Sequence, residues 1–415
     1  MTTYKFIGPI TQLITMSNLP IKGAIRDEQL SIIKNAGILI KESNIHTIGE
    51  FSDLVKIAKE LNAEIIELTS SYVCLPGFID AHTHICFAGS RAKDYAMRNA
   101  GKSYLEIAES GGGIWDTVTQ TRKANQSELS LGIVKRANHL LKNGITTIEV
   151  KSGYGLSIEE ELKMLYAIRE ADQTIESDLI PTCLAAHMLP KDYNGKHEAY
   201  LQELTTRLFP ILKTENLTNR IDAFIEQSAF STKQISPYLQ KASEMGFDIT
   251  IHADQFTTGG SEIAVKMNAV SADHLEASTD LEIEQLANSN VIAVALPGAS
   301  LGLGCAFTPA RKILDANGAL AIASDWNPGS APMGDLLSQA CILGTFQKLS
   351  NAEVLAAITY RASAALRLNN CGTIASGKLA DFCFFATDHY NEILYHQGKM
   401  TPSIVWKRGK LVYSK

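Results

Sequence analysis

The chain has 415 residues, of which 45% are hydrophobic and 20% are charged, and its formal net charge is -6. This composition is typical of one large enzyme domain with a smaller appended unit, and the lack of a basic surplus argues against nucleic acid as a partner. The sequence predicts no membrane span, and Met1 to Met16 do not form a secretory signal, so we expect a cytoplasmic protein.

Cysteine usage points to the same compartment. The chain has seven cysteines, an odd number, and no two of them form a C-x-x-C pair. This pattern predicts free thiols in a reducing cytoplasm rather than a disulfide framework or a cysteine-ligated zinc site.

Residues 1–74 contain short alternating strands, such as Ala36 to Lys41, separated by turn signals. We predict that they form the N-terminal part of a small β-sandwich. Residues 371–415 return to this pattern at Asp381 to Phe385 and at Ser403 to Trp406. The sequence therefore predicts that both chain termini build the sandwich together.

His82 and His84 follow an apolar run that continues through Phe78 and Ile79 after a Pro-Gly pair. Side chains two residues apart on a strand point to the same face, so both imidazoles can reach one cation. The alternative is a pair of exposed loop histidines, and the downstream sequence has to decide between the two interpretations.

Seven further β-rich apolar runs follow, at residues 144–151, 179–187, 221–226, 247–252, 269–274, 291–297 and 320–325. Helical segments lie between them, with capping boxes predicted at Ser157 to Glu160 and at Ser350 to Glu353. Eight strands alternating with helices over residues 75–370 predict a (β/α)8 TIM-like barrel, whose active site lies at the C-terminal ends of the strands. Five polar residues fall at those ends: His84, His187, His252, His274 and Asp325.

This pattern resembles the amidohydrolase superfamily. Members have H-x-H on the first barrel strand, single histidines on the fifth and sixth, an aspartate on the eighth, and a split sandwich with a segment like Gly372 to Asp381 here. Longer stretches resemble a branch of the superfamily that opens a small cyclic amide by hydrolysis. They are Ala88 to Arg91, Ser103 to Ala108 with Gly111 to Gly113, Glu149 to Leu156, and Ser324 to Gly329.

The resemblance implies one divalent metal held by His82, His84, His252 and Asp325. Three neutral imidazoles and a carboxylate form a nitrogen and oxygen set without thiolate, which suits zinc or ferrous iron. Such a cation brings the pKa of a bound water to about 7, so hydroxide forms at neutral pH. Asp325 would accept the proton as the hydroxide attacks a carbonyl, while His274 would donate to the oxyanion or orient the water.

A second metal would need a bridging ligand such as Lys151 or Glu226. The superfamily's bridging lysine is expected on the fourth strand, but Lys151 lies on the second; Glu226 lies on the fourth and is the better candidate. We nevertheless predict one metal, with both side chains paired within the barrel mouth.

The resemblance also assigns substrate contacts for a five-membered cyclic amide with a propionate tail. Arg91 has the planar guanidinium that binds a carboxylate through two hydrogen bonds. Tyr154 supplies a phenol donor, and His187 is expected to contact the ring carbonyl. Further contacts to the ring or to the opened product are assigned to Gln255, Asn327, Gly329 and Ser330.

Gln255 departs from relatives that place a glutamate three residues after the fifth-strand histidine, where it can shuttle a proton. An amide does not accept and return a proton in the physiological range, so Gln255 is expected to hydrogen-bond the ring. Asp254 should point away from the metal, because adjacent strand residues face opposite sides. Asp325 is therefore the predicted base, with His274 assisting.

These features predict a metal-dependent hydrolase of a small cyclic amide. One alternative is a deaminase or cyclic amidohydrolase for another small heterocycle, which should lack the pairing of Arg91 with Tyr154. Another is a binding protein on a barrel that has lost catalysis, although such a loss usually removes metal ligands. The expected partners are a small-molecule substrate and a second copy of the chain in a homodimer, but neither nucleic acid nor a membrane.

Overall fold

The computed structural model describes residues 3–102, 106–107 and 110–415. The stretch Ser103 to Ala108 lies in part outside these described residues. The strands are numbered in chain order: β1 Tyr4–Ile14, β2 Ile32–Lys41, β3 Asn44–Glu50, β4 Glu64–Glu67, β5 Val73–Pro76, β6 Phe78–Asp80, β7 Ile145–Lys151, β8 Asp178–Ala186, β9 Arg220–Phe224, β10 Asp248–Ala253, β11 Ser271–His274, β12 Ile292–Ala295, β13 Ala319–Ile322, β14 Phe382–Phe385, β15 Ile404–Lys407 and β16 Lys410–Ser414.

The helices lie mainly between the barrel strands. They span Phe51–Glu60, Ala92–Asn99, Ile114–Lys123, Gln126–Lys142, Ile158–Asp172, His197–Glu203, Phe209–Thr214, Thr232–Glu244, Gly260–Lys266, Asp280–Ala287, Pro297–Leu303, Ala310–Asp315, Leu336–Gln347, Asn351–Ala357, Tyr360–Ala365 and Asn391–Tyr395, with a 3-10 turn at Asp27–Gln29 and a π turn at Leu204–Leu208. Within the described part of the chain, no helix combines the length and the apolar character needed to cross a membrane.

Strands β6 to β13 pair in parallel and in chain order. The two ends of this sheet meet just beyond β13 and β6, where Asp325 N donates to His82 O and His84 N donates to Trp326 O, each at 3.0 Å. Thr83 and Trp326 form a parallel bridge at the same point. The predicted (β/α)8 barrel is thus confirmed, and each of the eight predicted runs overlaps one of its strands.

The barrel strands read as apolar runs because helices cover one face and the barrel interior covers the other. All seven residues of β7 are buried, for example. The predicted capping box at Ser350 forms with both hydrogen bonds, Glu353 N to Ser350 Oγ at 3.0 Å and Ser350 N to Glu353 Oε2 at 2.8 Å. At Ser157 only the bond from Glu160 N forms, and the Glu160 carboxylate contacts Lys163 instead.

The remaining strands form a second, mixed sheet from both chain termini, in the order β16-β15-β14-β5-β1-β2-β3 with β4 beside β1. The hairpin of β2 and β3 at one end of this order lies against the segment that leads into β14, because Ala380 N donates to Ser43 O at 2.9 Å, and Ile38 shares one apolar cluster with Phe382 and Trp406. The sheet thus folds over its own core, and the predicted β-unit of both termini is confirmed.

Candidate active site

The four predicted metal ligands converge at one end of the barrel; we call them the ligand cluster (His82, His84, His252 and Asp325). His84 Nε2 lies 3.3 Å from the Nε2 atoms of both His82 and His252. Asp325 Oδ1 lies 3.5 Å from His82 Nε2 and 3.4 Å from His84 Nε2. All four side chains are buried.

The donor atoms of the ligand cluster fit a divalent cation. His82 Nδ1 is 2.6 Å from Asp273 Oδ2, and His252 Nδ1 is 3.0 Å from Asp222 Oδ2. An imidazole that donates from Nδ1 keeps the Nε2 lone pair for a metal. Asp325 Oδ1 is buried and has no hydrogen-bond partner among the described residues. Imidazole lone pairs and an orphaned carboxylate oxygen facing one point form a zinc or ferrous iron donor set.

Burial keeps the cluster imidazoles neutral, the form that binds metal. It lowers the pKa values of His82 and His84 well below the ordinary value and that of His252 to about 4. Burial also raises the pKa of Asp325 to about 7, against the opposing effect of the His274 imidazolium.

His274 ends β11 beside the ligand cluster, with its ring 5.3 Å from that of His252. Its Nδ1 is 3.4 Å from Glu276 Oε2, and Ser300 Oγ donates to Glu276 Oε1 at 3.1 Å. Burial opposes the charged imidazolium, but the Glu276 carboxylate outweighs it and raises the pKa of His274. A histidine paired at Nδ1 with a carboxylate can donate from Nε2.

A cavity of about 530 Å³ opens over the cluster. Every predicted site residue other than the deeper His82 lines it. These residues are His84, Arg91, Tyr154, His187, His252, Gln255, His274, Asp325, Asn327, Gly329 and Ser330.

His187 and Tyr154 stand together beside His84. The Tyr154 ring is 5.8 Å from the His84 ring and 5.6 Å from the His187 ring. His187 Nδ1 donates to Gly153 O at 2.9 Å, and burial lowers the pKa of His187 to about 4. Neutral His187 thus keeps Nε2 as a hydrogen-bond acceptor.

The side-chain amide of Asn327 is hydrogen-bonded within its own loop. Its Oδ1 accepts from Gly329 N and Ser330 N, each at 2.8 Å, and its Nδ2 donates to Asp325 O at 2.8 Å. The amide therefore shapes the loop and holds the Asp325 backbone.

The region after β10 agrees with the prediction for Asp254. Asp254 accepts hydrogen bonds from Gly260 N and Ser278 Oγ, each at 2.8 Å, so its carboxylate points away from the ligand cluster. Gln255 lies on the cavity side. Glu226 holds the same loop, accepting from Phe256 N at 2.9 Å and Thr257 N at 3.1 Å.

Several residues of the site are absent from the sequence prediction. Asp222 and Asp273 lie against the Nδ1 atoms of His252 and His82. The sequence could have indicated both, since each is a lone aspartate inside an apolar strand. Arg98 lines the cavity and donates to Gly302 O at 2.6 Å and Gly329 O at 3.4 Å. Its helix carried no periodic feature that singled it out.

The comparisons with known proteins agree with this geometry. The model of the Amidohydrolase family matches residues 73–412, and the chain belongs to this family. Imidazolonepropionase from Bdellovibrio bacteriovorus is 38% identical over 409 residues, covering 97% of this chain and 95% of its own. Imidazolonepropionase from Fusobacterium nucleatum subsp. nucleatum is 38% identical over 409 residues, covering 98% of both chains. Within the family the chain belongs to the imidazolonepropionases, and it is a hydrolase.

Solved structures with low sequence identity share the fold. Ochratoxinase from A. niger has a TM-score of 0.70 at 15% identity, covering 100% of this chain and 96% of its own. An adenosine deaminase from Xanthomonas campestris with bound zinc has a TM-score of 0.70 at 16% identity, covering 99% of this chain and 92% of its own. At these identities the likeness concerns the fold alone.

Proposed function

We propose that this enzyme opens the ring of 4-imidazolone-5-propanoate by hydrolysis and releases N-formimidoyl-L-glutamate, a step of histidine degradation. The observation that carries the proposal is one cavity that opens over the ligand cluster and is also lined by Arg91, Tyr154 and His187. These groups match a small cyclic amide with a carboxylate tail. The relatives at 38% identity bear the name imidazolonepropionase.

One divalent metal, zinc or iron, would be held by His82, His84, His252 and Asp325. When bound, it supplies a Lewis acid that lowers the pKa of water toward about 7 and polarises a carbonyl. Asp325 takes the proton of the attacking water at a carboxylate oxygen. The water oxygen bonds to the ring carbonyl carbon, the bond from that carbon to the ring nitrogen breaks, and Asp325 returns the proton to the leaving nitrogen.

The other residues orient the ring and stabilise the oxyanion. His274 donates from Nε2 to the carbonyl oxygen as negative charge develops there. His187 accepts from a ring N–H, and the Tyr154 hydroxyl donates on the same side. Arg91 binds the propionate, and Gln255 hydrogen-bonds the ring.

The test is to mix purified, metal-loaded protein with freshly prepared 4-imidazolone-5-propanoate. We expect the substrate absorbance to fall and an equal amount of N-formimidoyl-L-glutamate to appear by mass spectrometry. Adenine, guanine and cytosine are the control substrates. Turnover of a control without turnover of the imidazolone would replace the proposal with a deaminase, and turnover of none would leave a binding protein.

We also propose that the chain forms a homodimer in the cytoplasm. Phe346 and Leu281, on two outer helices, are exposed and supply apolar surface for a second copy. Light scattering of the purified protein should give twice the chain mass, and the monomer mass would contradict the dimer.

A further inference from the structure

Lys151 ends β7 and is completely buried behind the ligand cluster. Its Nζ is 2.7 Å from Glu149 Oε1, 2.8 Å from Asp222 Oδ2 and 3.8 Å from Asp273 Oδ2. The exposed fraction of each of these side chains is at most 1%. One buried cation therefore faces three buried carboxylates, and we call the four side chains the lysine network.

Two of these carboxylates lie against the Nδ1 atoms of metal-facing imidazoles through the same oxygens that face the lysine. Asp222 Oδ2 is 3.0 Å from His252 Nδ1, and Asp273 Oδ2 is 2.6 Å from His82 Nδ1. A carboxylate on Nδ1 fixes both the orientation of the ring and the direction of its Nε2 lone pair. The position of Lys151 therefore affects the orientation of both imidazole rings.

The third carboxylate holds the backbone between His82 and His84. Thr83 N donates to Glu149 Oε2 at 3.2 Å, and Thr83 Oγ1 donates to the backbone oxygen of Glu149 at 2.6 Å. The lysine network thus contacts the H-x-H segment at one side and His252 at the other.

Charge balance explains why an ammonium is needed here. Without it, three carboxylates would repel one another at close range in a low-dielectric interior, so they would separate or take up protons. A carboxyl that turns away or is protonated holds an imidazole N–H less well. An ammonium is a compact charge that attracts all three carboxylates, and two of them, those of Glu149 and Asp222, lie within hydrogen-bond distance of it.

The same contacts argue against a carbamylated Lys151 in a binuclear site. Carbamate formation requires a neutral amine to attack carbon dioxide, whereas three carboxylates keep this amine protonated. It would also replace the one positive charge of the network with a fourth negative charge. The contacts instead define a role for the unmodified side chain.

We propose that Lys151 is a positioning residue of the metal site: its ammonium fixes Asp222 and Asp273, and these carboxylates orient the imidazoles of His252 and His82. The inference rests on the metal site of the proposed function. It adds that metal affinity depends on a residue that is not itself a ligand.

The experiment measures the Zn²⁺ affinity of the folded protein by competition with a chromogenic chelator. Lys151→Met removes the charge and keeps a side chain of similar length, and we expect an affinity about 10–100-fold lower. Lys407→Met is the matched control, because Lys407 is equally buried and lies 2.8 Å from Asp178 and 2.6 Å from Asp381, but in the terminal sheet. It should retain the wild-type affinity.

A second pair of variants covers the case in which Lys151→Met does not fold. Glu149→Gln with Lys151→Met removes one charge of each sign, and it is compared with Glu149→Gln alone. We again expect the lysine substitution to lower the Zn²⁺ affinity about 10–100-fold. The visible spectrum of the Co²⁺-loaded protein should also change, because it reports ligand geometry.

The outcomes distinguish the metal site itself from the positioning role of Lys151. A wild-type protein that binds no Zn²⁺ contradicts the metal site itself. If wild type binds Zn²⁺ and the lysine substitutions leave the Zn²⁺ affinity within twofold of their references, the positioning role of Lys151 is overturned while the metal site stands. The same conclusion follows if Lys407→Met lowers the Zn²⁺ affinity as much as Lys151→Met does.

Discussion

Arg91 is held by the protein before any substrate arrives. Its Nε donates to Asp94, and Asp94 Oδ2 also accepts from Gly113 N at 2.8 Å. A guanidinium fixed at one edge presents its remaining N–H groups in a set direction, so less side-chain freedom is lost when a carboxylate binds. Its exposed fraction is 9%, which further favours a strong charged hydrogen bond.

We expect Arg91→Ala to raise KM about 10–150-fold with little change in kcat. The reason is the loss of a charged hydrogen bond to the propionate, which contributes about 1.5–3 kcal/mol. Arg91→Lys should restore only part of the affinity, because an ammonium lacks the planar fork. Steady-state kinetics measure both effects. Wild-type KM values in both variants would move the carboxylate tail elsewhere in the cavity.

Substitutions of Asp325 and Gln255 should change different kinetic constants. We expect Asp325→Asn to lower kcat at least about 100-fold, because an amide cannot carry the proton, whereas Gln255→Ala should chiefly raise KM. Asp325 has a φ of 50°, a left-handed conformation that asparagine tolerates, so the backbone should survive the change. Kinetics are compared at matched metal occupancy. If Gln255→Ala abolished turnover with KM unchanged while metal-loaded Asp325→Asn stayed active, the assignment of the proton path to Asp325 would be wrong.

At the scale of the elements, the strands of the barrel could be predicted from the sequence. The placement of the site residues at the C-terminal ends of these strands could be predicted only in part. A parallel strand buried on both faces reads as an apolar run whatever its neighbours, so local sequence is enough. His187 and Asp325 nevertheless lie beyond the last residues of β8 and β13, where loop geometry aims the side chains. The convergence of the ligand cluster followed from the barrel topology, because the strand ends share one face.

Asp222 and Asp273 could be singled out as lone aspartates, but the histidine that each one contacts could not be predicted, because the members of each pair are far apart in the sequence. Asp273 meets His82 across 191 residues of sequence, and Asp222 meets a histidine on the neighbouring strand. The amide of Asn327 could bind either a ligand or its own loop, and only the loop conformation decides. Local patterns thus predict which residues face the cavity, while tertiary packing sets which hydrogen-bonding groups remain for a ligand.

The loop that carries Tyr154 depends on one buried carboxylate of the helix Ile158–Asp172. Glu161 Oε2 accepts from Gly153 N at 2.9 Å, and its Oε1 accepts from Gly155 N and Leu156 N, each at 2.8 Å. Three backbone donors are thereby satisfied on both sides of the tyrosine.

We expect Glu161→Gln to lower the free energy of unfolding by about 1–3 kcal/mol and to raise KM. The amide keeps one acceptor oxygen and turns its NH₂ toward at least one backbone N–H, which is left buried without a partner. Urea denaturation and steady-state kinetics give the two values. Glu159→Gln, on the exposed face of the same helix with a 73% exposed side chain, is the control. An equal loss in both variants would contradict a specific role for Glu161.

At the scale of the whole molecule, the ligand cluster joins distant parts of the barrel. His82 and Asp325 lie where the first and last barrel strands meet, and His252 comes from β10 at the middle of the sheet order. A cation that binds all of them would connect the point where β6 and β13 meet with β10 on the opposite side of the barrel. Metal binding should therefore contribute to global stability as well as to chemistry.

We expect metal removal to lower the melting temperature, and zinc to restore it. A ligand that binds only the folded state, present at about 100 times its Kd, stabilises that state by about 2.7 kcal/mol. Metal analysis should find one equivalent per chain, and His252→Ala should release most of it and melt at the same temperature with or without added zinc. His46→Ala, which removes an exposed histidine of β3, should keep both the metal and the response. A wild-type protein that melts at one temperature before and after complete chelation, and stays active, would contradict the metal site.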